Sequence, residues 1–409
     1  MTVTTTDTTR PGIVDGHYLL ITADSHGGGN HEQYREYLDP EWRDEFDAWR
    51  NRYKNPFQDL HGHRRVRNWD DEMRWDEQET DGTAAEVIFP NTVPPFFPTG
   101  AVIAGPPSPE EFPRRLAGIR AHNRWLADFV SQAPERRAGI AQIFLNDVEE
   151  AVRDVQWAKE HGLRGGVLLP GRPDDCTWVA PLVDPVYDPL WAACQDLDVT
   201  ITHHGGQGSP DYGKYPGAPM LWVAETNWFS HRALTHLLVG GVFERFPGLR
   251  FVVTEQGCSW VPSTIAMLDG FWHQMRAGRV GELNAAPDLL PHTPSEYFNR
   301  NCFVGVSFPS PGEARAMRKV GLERVMWGSD YPHHEGSPPY TREALRRAFS
   351  DWEPDELAPV LSENAAAVYG FDLEVLAPIA ARVGPTVDEL RVPLDEVPKD
   401  SGSPAFTRP

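Results

Sequence analysis

The chain has few cysteines, and their spacing matches neither a disulfide scaffold nor a zinc knuckle. The 409 residues include four, Cys176, Cys194, Cys258 and Cys302, and no two of them form a CxxC pair. In a chain of this length, this usage predicts reduced thiols rather than a disulfide framework. We therefore expect a cytoplasmic protein whose stability comes from a hydrophobic core.

Two further absences narrow the class of partner. The sequence has no apolar run of the ~18 residues that a membrane-spanning helix needs. Acidic residues outnumber basic ones by 59 to 38, which gives a net charge of −21, and no basic stretch interrupts this excess. Such a chain lacks the electrostatic footprint of a nucleic-acid binder and the polybasic signal for anionic membranes. We expect no nucleic acid and no membrane as partner, but a small-molecule substrate.

Eight short apolar segments alternate with helical patterns along the chain. Most are continuous hydrophobic runs, which are typical of parallel strands buried on both faces. The alternation predicts an α/β fold, a (β/α)8 TIM barrel. An open doubly wound sheet is the alternative, but no GxGxxG follows the first strand. The predicted strands cover residues 18–25, 85–89, 139–144, 164–169, 198–204, 249–254, 302–307 and 324–330.

Two long insertions separate the first strand from the second and the second from the third. They contain the stretches HGHRRVRNWD and PNTVPPFFPTG. The βα loops of a barrel lie at its C-terminal face, where active sites form, so these insertions predict a lid or a pocket wall there. We predict a disordered N-terminal tail over residues 1–15, one metal-dependent barrel domain over 16–373 and a C-terminal arm or tail over 374–409.

Polar residues cluster at three of the predicted strand ends. Residues two apart on a strand point to the same side, so Asp24 and His26 can both face the barrel axis. Carboxylate and imidazole ligands predict a catalytic site for a divalent metal, Zn²⁺ or alternatively Mn²⁺. The three ends read Asp24-Ser25-His26 on the first strand, His203-His204 on the fifth and Gly328-Ser329-Asp330 on the eighth.

Several longer stretches resemble the amidohydrolase superfamily, in particular its amidohydrolase 2 branch, which is aminocarboxymuconate-semialdehyde decarboxylase-like. The resemblance extends from Leu20 to Asp372, nearly the whole predicted barrel, and implies a metal-dependent barrel enzyme. The stretches that carry it are ITADSH with EQYREYLDPEWRD behind it, AAEVIFPN, DPVYDPLWAACQDLDVTITHHGG, GGVFERFPGLRFVVTEQGCSWVP, VMWGSDYPHHEG and LSENAAAVYGFD.

The resemblance also implies roles for individual residues. The family's first-strand His-x-His falls on Asp24 and His26, so an aspartate replaces one histidine. The fifth-strand ligand falls on His204, and the eighth-strand aspartate, Asp330, is expected to bind the metal and to accept a proton. The fourth predicted strand does not end in the bridging lysine of two-metal relatives, so the resemblance implies one metal ion.

One residue departs from the family pattern. Decarboxylases of this branch carry a sixth-strand histidine where this chain has Glu255, in TEQG. A glutamate there could accept protons or bind the metal as a hard oxygen ligand. The alternative is a structural carboxylate buried against Arg232 or Arg300. The departure argues against decarboxylation and makes Glu255 a catalytic candidate beside Asp330 and His204.

Candidate substrate-binding residues lie in the insertions and in the loop after the eighth strand. Arginines could hold a substrate carboxylate, and aromatic residues could line a pocket for a planar substrate. Surface charge, core packing and a plain loop are the alternatives, and we expect the HGH stretch with His61 and His63 to be a solvated loop or lid. The candidates are Arg64, Arg67, Phe96, Phe97, Trp228 and His333.

Three functions fit this pattern. The first is a metal-dependent hydrolase that activates water to cleave a C–N, C–O or activated C–C bond in a small carbonyl or carboxylate compound. The second is a non-oxidative decarboxylase, in which Asp330 protonates a carbon of an aromatic or unsaturated acid. The third is a barrel without activity that binds a ligand. The sequence favours hydrolysis because of Glu255. We also expect a homodimer, since proteins of this fold often form one.

Overall fold

The computed structural model describes residues 10–56, 62–91, 93–101, 103–283 and 290–409. The strands within these ranges are β1 (Ile13–Val14), β2 (His17–Tyr18), β3 (Leu20–Gly27), β4 (Thr83–Pro90), β5 (Arg137–Gln142), β6 (Gly166–Leu168), β7 (Ile201–His204), β8 (Phe251–Thr254), β9 (Cys302–Ser307) and β10 (Val325–Gly328).

The helices surround these strands. They are α1 (His31–Tyr37), α2 (Arg43–Arg50), α3 (Asp71–Thr80), α4 (Phe112–Ser131), α5 (Val148–Glu160), α6 (Asp188–Asp196), α7 (Ala218–Val239), α8 (Val242–Arg245), α9 (Val261–Arg276), α10 (Pro294–Asn301), α11 (Pro311–Val320), α12 (Thr341–Phe349), α13 (Pro354–Ala358), α14 (Asn364–Tyr369), α15 (Leu373–Val383), α16 (Val387–Leu390) and α17 (Pro404–Thr407). Short 3₁₀ helices, among them His63–Asn68, and a π-helical segment, Pro359–Glu363, complete them.

Strands β3 to β10 form one eight-stranded sheet in which every strand pairs in parallel with the next strand along the chain. The two edges meet just after β10. There the backbone N–H of Asp330 donates to the carbonyl of Asp24 over 2.9 Å, and that of His26 donates to the carbonyl of Tyr331 over 2.6 Å. The predicted (β/α)8 barrel is confirmed.

The barrel strands are buried on both faces, as their continuous apolar runs indicate. Neighbouring residues on one strand belong to different apolar clusters, because successive side chains point to opposite faces. Ile140 and Met326 belong to the cluster that fills the barrel, whereas Ala141 and Trp327 belong to the one beneath the outer helices.

The strand ends differ from the predicted ones where the backbone leaves the extended region. The last barrel strand ends at Gly328 rather than residue 330, because Asp330 has φ 62°. Likewise β7 starts at Ile201 rather than 198, since Asp198 has φ 53°. The first predicted strand divides into β2 and β3, and β3 continues to Gly27, so that Asp24 and His26 lie within it.

A buried ion pair anchors the end of β3 that carries these two residues. Arg74 and Glu86 have fully buried side chains, and their closest charged atoms are 2.5 Å apart. Glu86 also accepts a hydrogen bond from Ser25 Oγ (2.9 Å), and Arg74 donates to the carbonyl of His26 (2.8 Å). Because every charged atom has partners here, the desolvation cost of the pair is offset.

Both chain ends beyond the barrel strands pack against it in the described residues. Ile13 is buried in the main core, within the part predicted as a tail, and β1 pairs with β2. In the segment 374–409, Phe406 packs with Tyr340 and Phe308, and the Tyr340 hydroxyl donates to Asp400. The C-terminal segment is thus a packed arm, while the division into three domains stays a prediction.

Within the described ranges, no helix has the length and apolarity needed to cross a membrane.

The Arg74–Glu86 pair predicts an acid-sensitive stability. Burial opposes ionisation of Glu86, but Arg74 outweighs it and lowers the pKa of Glu86 to about 2. In the unfolded chain a glutamate has a pKa of about 4.3. The ionised form therefore stabilises the fold above about pH 4, and this contribution is lost as the pH falls towards 2.

We expect Glu86→Gln to lower the free energy of unfolding at pH 7 by about 3–5 kcal/mol, because it leaves Arg74 buried without a counter-charge. Urea denaturation should show that the difference in unfolding free energy between wild type and variant becomes smaller from pH 7 to pH 3. An equal difference at both pH values would contradict this.

Gly328 predicts a second effect on stability. A Cβ atom at this position would lie 2.6 Å from Cβ of Asp24, so the two strands approach each other only if no side chain is present. Gly328→Ala should cost about 1–3 kcal/mol through overpacking and should lower the melting temperature. The matched control is Gly270→Ala on the exposed side of α9, where nothing lies within 4 Å. That variant should be up to about 1 kcal/mol more stable than wild type.

Candidate metal centre

Five ligand-type side chains meet at the C-terminal end of the barrel. Asp24 and His26 come from β3, and His204 is the last residue of β7. Glu255 follows β8 directly, and Asp330 follows β10 by two residues. Both have left-handed backbone, with φ 56° and 62°, which turns the chain sharply at the strand end. Such conformations cost non-glycine residues energy and are common at functional sites.

The donor atoms of these side chains lie close together. Nε2 of His26 is 3.4 Å from Oδ1 of Asp24 and 3.1 Å from Oδ1 of Asp330. Nε2 of His204 is 3.5 Å from Oδ1 of Asp24 and 3.2 Å from Oε2 of Glu255. Asp24, His26, His204 and Glu255 each offer one atom within 4.8 Å of the others. Three of the predicted ligands thus form one group with Glu255, whereas Asp330 falls in two neighbouring groups, one with His26 and His333 and one with Glu255 and Glu335.

The polar atoms at this point lack hydrogen-bond partners. Asp24 Oδ1, His26 Nε2, His204 Nε2 and Asp330 Oδ2 are buried and accept or donate no hydrogen bond among the described residues. Orphaned buried polar atoms are costly and uncommon. Because imidazole nitrogens and carboxylate oxygens are the usual ligands of divalent transition metals, one such ion would satisfy the Asp24, His26 and His204 atoms together and leave Oδ2 of Asp330 free. The residues therefore fit a divalent metal.

Hydrogen bonds behind the ligands fix their orientation. Nδ1 of His204 lies 3.1 Å from the carbonyl of Gly205, and Nδ1 of His26 lies 3.4 Å from that of Pro90. A histidine that donates through Nδ1 presents the lone pair of Nε2 to a metal. Ser307 Oγ donates a short hydrogen bond to Oδ2 of Asp24. This leaves Oδ1 of Asp24 directed at the ligand cluster.

Burial and charge act in opposite directions on the acids of the centre. Burial alone raises the pKa of Asp24, but His204 and His26 hold it well below its usual range. Burial likewise opposes ionisation of Asp330, yet the charge of His333 lowers its pKa. Burial, with repulsion from Asp330, raises the pKa of Glu255 to about 8. Burial disfavours the charged form of His204, but Glu255 outweighs it and raises that pKa to about 9. A metal ion bound to these atoms would compete with their protons, so its affinity would rise with pH.

The centre is open on one side. The Asp24 and Asp330 side chains are fully buried, whereas those of His204 and Glu255 retain 12% and 22% of their exposure. Phe89 is buried against His204, with 4.7 Å between the ring centroids. The Glu255 side is therefore the accessible side of the centre.

Glu255 lies at the centre rather than in an arginine pair. The alternative for this residue was a structural carboxylate against Arg232 or Arg300. Arg232 instead pairs with Asp174 over 2.8 Å, and Arg300 donates to the carbonyl of Phe243. His203, the neighbour of His204 on β7, points away from the centre, because successive side chains on a strand alternate. Its Nδ1 lies 3.0 Å from the carbonyl of Leu169.

The predicted substrate-binding residues occupy different environments. His333 is at the centre: its Nδ1 lies 2.8 Å from Oδ1 of Asp330. Arg67 pairs with Glu77 over 2.8 Å, and Arg64 is exposed. His61 and the side chain of His63 lie outside the described residues.

The aromatic candidates lie apart from the ligand cluster. Phe96 is buried against Phe46 and Leu38, in a separate core cluster. Phe97 is half-buried, and its carbonyl accepts a hydrogen bond from Trp49 Nε1. Trp228 is 61% exposed on α7. Their part in substrate binding stays a prediction.

Three residues near the centre carry no signal that sequence reasoning could use. Ser307 and Phe89 end ordinary apolar strands, and Asn91 lies in a loop rich in proline. Only the tertiary structure brings them to the ligands, since β4 pairs with β3 and β9 lies one strand beyond the barrel closure between β10 and β3. Phe89 and Asn91 belong to the stretch AAEVIFPN, which contributes to the family resemblance but assigns a role to neither residue.

The comparisons with known proteins agree with this geometry. A sequence model of the amidohydrolase family matches residues 58–371. Gamma-resorcylate decarboxylase from Rhodococcus jostii is 29% identical over 246 residues, which make up 55% of this chain and 70% of that one. The 2-amino-3-carboxymuconate-6-semialdehyde decarboxylase of Dictyostelium discoideum is 25% identical over 320 residues, 74% of this chain and 77% of that one.

A solved structure shares the fold. The 5-carboxyvanillate decarboxylase of Novosphingobium aromaticivorans, complexed with manganese and 4-hydroxy-3-methoxy-5-nitrobenzoic acid, superposes with a TM-score of 0.64 at 20% identity. The match covers 87% of this chain and 97% of that one. The barrel and its metal centre thus define a metal-dependent enzyme of the amidohydrolase superfamily. The chain belongs to the amidohydrolase family, and its relatives include decarboxylases.

The two adjacent histidines of β7 offer a matched test of the centre. His204→Asn can keep the hydrogen bond to the carbonyl of Gly205 but removes the ligand atom Nε2, so metal content should fall at least about 10-fold. His203→Asn can keep the bond to Leu169 and should retain the metal. Inductively coupled plasma mass spectrometry of both variants, each loaded with Mn²⁺ or Zn²⁺, checks this. Equal metal content in both would contradict the assignment of His204.

Proposed function

We propose that the chain is a non-oxidative decarboxylase that releases CO₂ from a hydroxylated aromatic acid. The observation that carries this is the group of unpartnered donor atoms beside Asp330, in a family whose matching relatives are decarboxylases. This was the second hypothesis from the sequence. The comparisons favour it over hydrolysis, which the sequence alone placed first.

Asp24, His26, His204 and Asp330 would hold the metal, with Glu255 as a further oxygen ligand. The bound ion would supply a positive charge that orients and polarises the carboxylate and the neighbouring hydroxyl of the substrate. Three carboxylates beside two imidazoles form an oxygen-rich donor set, which suits Mn²⁺ better than the Zn²⁺ expected first. Manganese in the Novosphingobium structure supports the same choice.

Asp330 is the residue proposed to move the proton. Its Oδ1 faces His26 and His333, whereas the buried Oδ2 has no partner and can face the substrate ring. In the proposed reaction, Oδ2 first accepts the proton of the substrate hydroxyl next to the carboxylate and then delivers that proton to the ring carbon that bears the carboxylate. The C–C bond then breaks, its electron pair restores the aromatic ring, CO₂ leaves, and Asp330 remains as a carboxylate.

Phe89 supports the two histidine ligands. Its ring contacts those of His26 and His204, with centroid separations of 5.9 and 4.7 Å. Because the ring is buried, it holds the imidazoles in place rather than facing the open side of the centre. Stacked or edge-on aromatic contacts of this kind contribute about 0.5–1.5 kcal/mol.

Hydrolysis is the second candidate, and Glu255 is the observation that favours it. The carboxylate stands in the place of the decarboxylases' histidine and faces the exposed side of the centre. There it could accept a proton from an attacking water molecule.

The homodimer and the cytoplasmic location expected from the sequence remain predictions, which light scattering and fractionation would test.

Release of CO₂ separates the two reactions. We expect the Mn²⁺-loaded protein to liberate CO₂ from gamma-resorcylate or 5-carboxyvanillate, measured by a coupled assay and by chromatography of the ring product. Benzoate, which lacks the hydroxyl, is the control and should not react. Hydrolysis of amides or lactones without CO₂ from any hydroxylated acid would instead establish the hydrolase.

Asp330→Asn tests the proton carrier. The amide preserves the size of the side chain but cannot deliver a proton, so kcat should fall at least about 100-fold. The amide oxygen can take the place of Oδ1 as a metal ligand, so metal content and melting temperature should stay within the range that His203→Asn shows. Near-normal turnover in Asp330→Asn would overturn the role given to this residue.

A further inference from the structure

His333 was expected at the pocket rim as a substrate-binding residue, yet both of its ring nitrogens are occupied by the protein. Nδ1 lies 2.8 Å from Oδ1 of Asp330, and Nε2 lies 3.1 Å from Oδ1 of Asn91. The ring also lies against His26, with 4.0 Å between centroids and a tilt of 31°. A side chain held at three points in this way is positioned for its neighbours rather than for a ligand.

A chain of hydrogen bonds continues from Asn91 to the loop that carries the HGHRRVRN stretch. Nδ2 of Asn91 donates to Oδ1 of Asn68 over 2.6 Å. Asn68 is fully buried, and its Nδ2 donates to the backbone carbonyl of Arg65 over 2.9 Å. This series, Arg65 carbonyl–Asn68–Asn91–His333–Asp330, is called the relay below.

The polarity of the relay is set at the Arg65 end. A backbone carbonyl can only accept, so Asn68 must direct its NH₂ group to Arg65 and its oxygen to Asn91. Asn91 must then direct its NH₂ group to Asn68, which leaves its oxygen facing Nε2 of His333. Neither amide can turn over without placing two acceptors against each other.

The same arrangement of donors and acceptors determines the hydrogen-bonding role of both ring nitrogens of His333. Its Nε2 has an amide oxygen opposite, and its Nδ1 has a carboxylate oxygen opposite, so both nitrogens must donate.

The backbone around the relay holds it in register. The N–H of Asn91 donates to the carbonyl of Gly27 over 3.0 Å, and the N–H of Gly28 donates to the carbonyl of Asn68 over 3.1 Å. The end of β3, which carries the metal ligands, is thereby bonded to both asparagines. The relay and the metal centre are therefore parts of one rigid arrangement.

We propose that Asn68 and Asn91 are positioning residues that act on Asp330 through His333. They hold the imidazole as a double donor, so that Oδ1 of Asp330 is bound and Oδ2 stays directed at the reacting carbon. The proposal rests on the proposed function in one respect, because it takes Asp330 as the proton carrier. Second-layer hydrogen bonds of this kind typically change activity by about 10–100-fold.

The test is steady-state kinetics of the Mn²⁺-loaded full chain with gamma-resorcylate. Asn91→Ala should lower kcat about 10–100-fold and change KM less than about 3-fold, with metal content unchanged. Asn68→Ala, one bond further from Asp330, should lower kcat in the same direction but less. The matched control is Asn301→Ala. Asn301 is buried like Asn68 and donates to the carbonyls of Pro247 and Leu249 at the opposite end of the barrel. It should lower the melting temperature and leave kcat within about 2-fold.

A double-mutant cycle distinguishes action through His333 from general damage. In a His333→Ala background, Asn91→Ala should cause no further loss of kcat beyond about 2-fold, because its route to Asp330 is already broken. Losses that multiply in the double variant would overturn the proposal, and so would an Asn91→Ala enzyme no slower than Asn301→Ala.

A crystal structure of Asn91→Ala gives a readout that needs no substrate. It should show the His333–Asp330 hydrogen bond lengthened or broken, and an unchanged bond would contradict the relay. The proposed function and the relay can be refuted independently of each other. Normal turnover by Asp330→Asn refutes the proposed function, whereas a slow Asp330→Asn beside a fast Asn91→Ala refutes only the relay.

Discussion

The closure of the barrel between its first and last strands is the constraint on which the metal centre depends. Asp24 lies on β3 and Asp330 just after β10, about as far apart in sequence as two barrel residues can be. The hydrogen bond between the N–H of Asp330 and the carbonyl of Asp24 joins them. Gly328 permits this approach, since any side chain there would meet Asp24. Without the closure, the centre would consist of two separate halves.

Three sets of hydrogen bonds support the centre. The Arg74–Glu86 pair holds the backbone of His26 and the hydroxyl of Ser25. Ser307 orients the carboxylate of Asp24. The relay from Arg65 holds Asp330. Each set is hydrogen-bonded within the protein, so the ligands keep one geometry instead of adapting to water.

Glu255 gives this centre its own character within the family. It occupies the end of β8 on the exposed side, touches His204 and repels Asp330. A carboxylate there adds negative charge where a decarboxylase receives an anionic acid. A bound divalent metal ion would offset this charge and so allow the proposed anionic substrate to enter an acidic site.

The sequence by itself determined the fold and most of the ligands. Continuous apolar runs define parallel strands, and strand ends in a barrel meet at one face, so Asp24, His26 and Asp330 could be named from their positions, while the family resemblance selected His204 over His203. What only the tertiary structure decided depends on contacts between distant segments. The roles of Glu255, Asn91 and Ser307 come from neighbouring strands, and no local pattern marks a side chain whose partner lies far along the chain. Arg67 and Phe96 show the converse: their residue types suit a pocket, but Glu77 and the cluster around Phe46 hold them elsewhere.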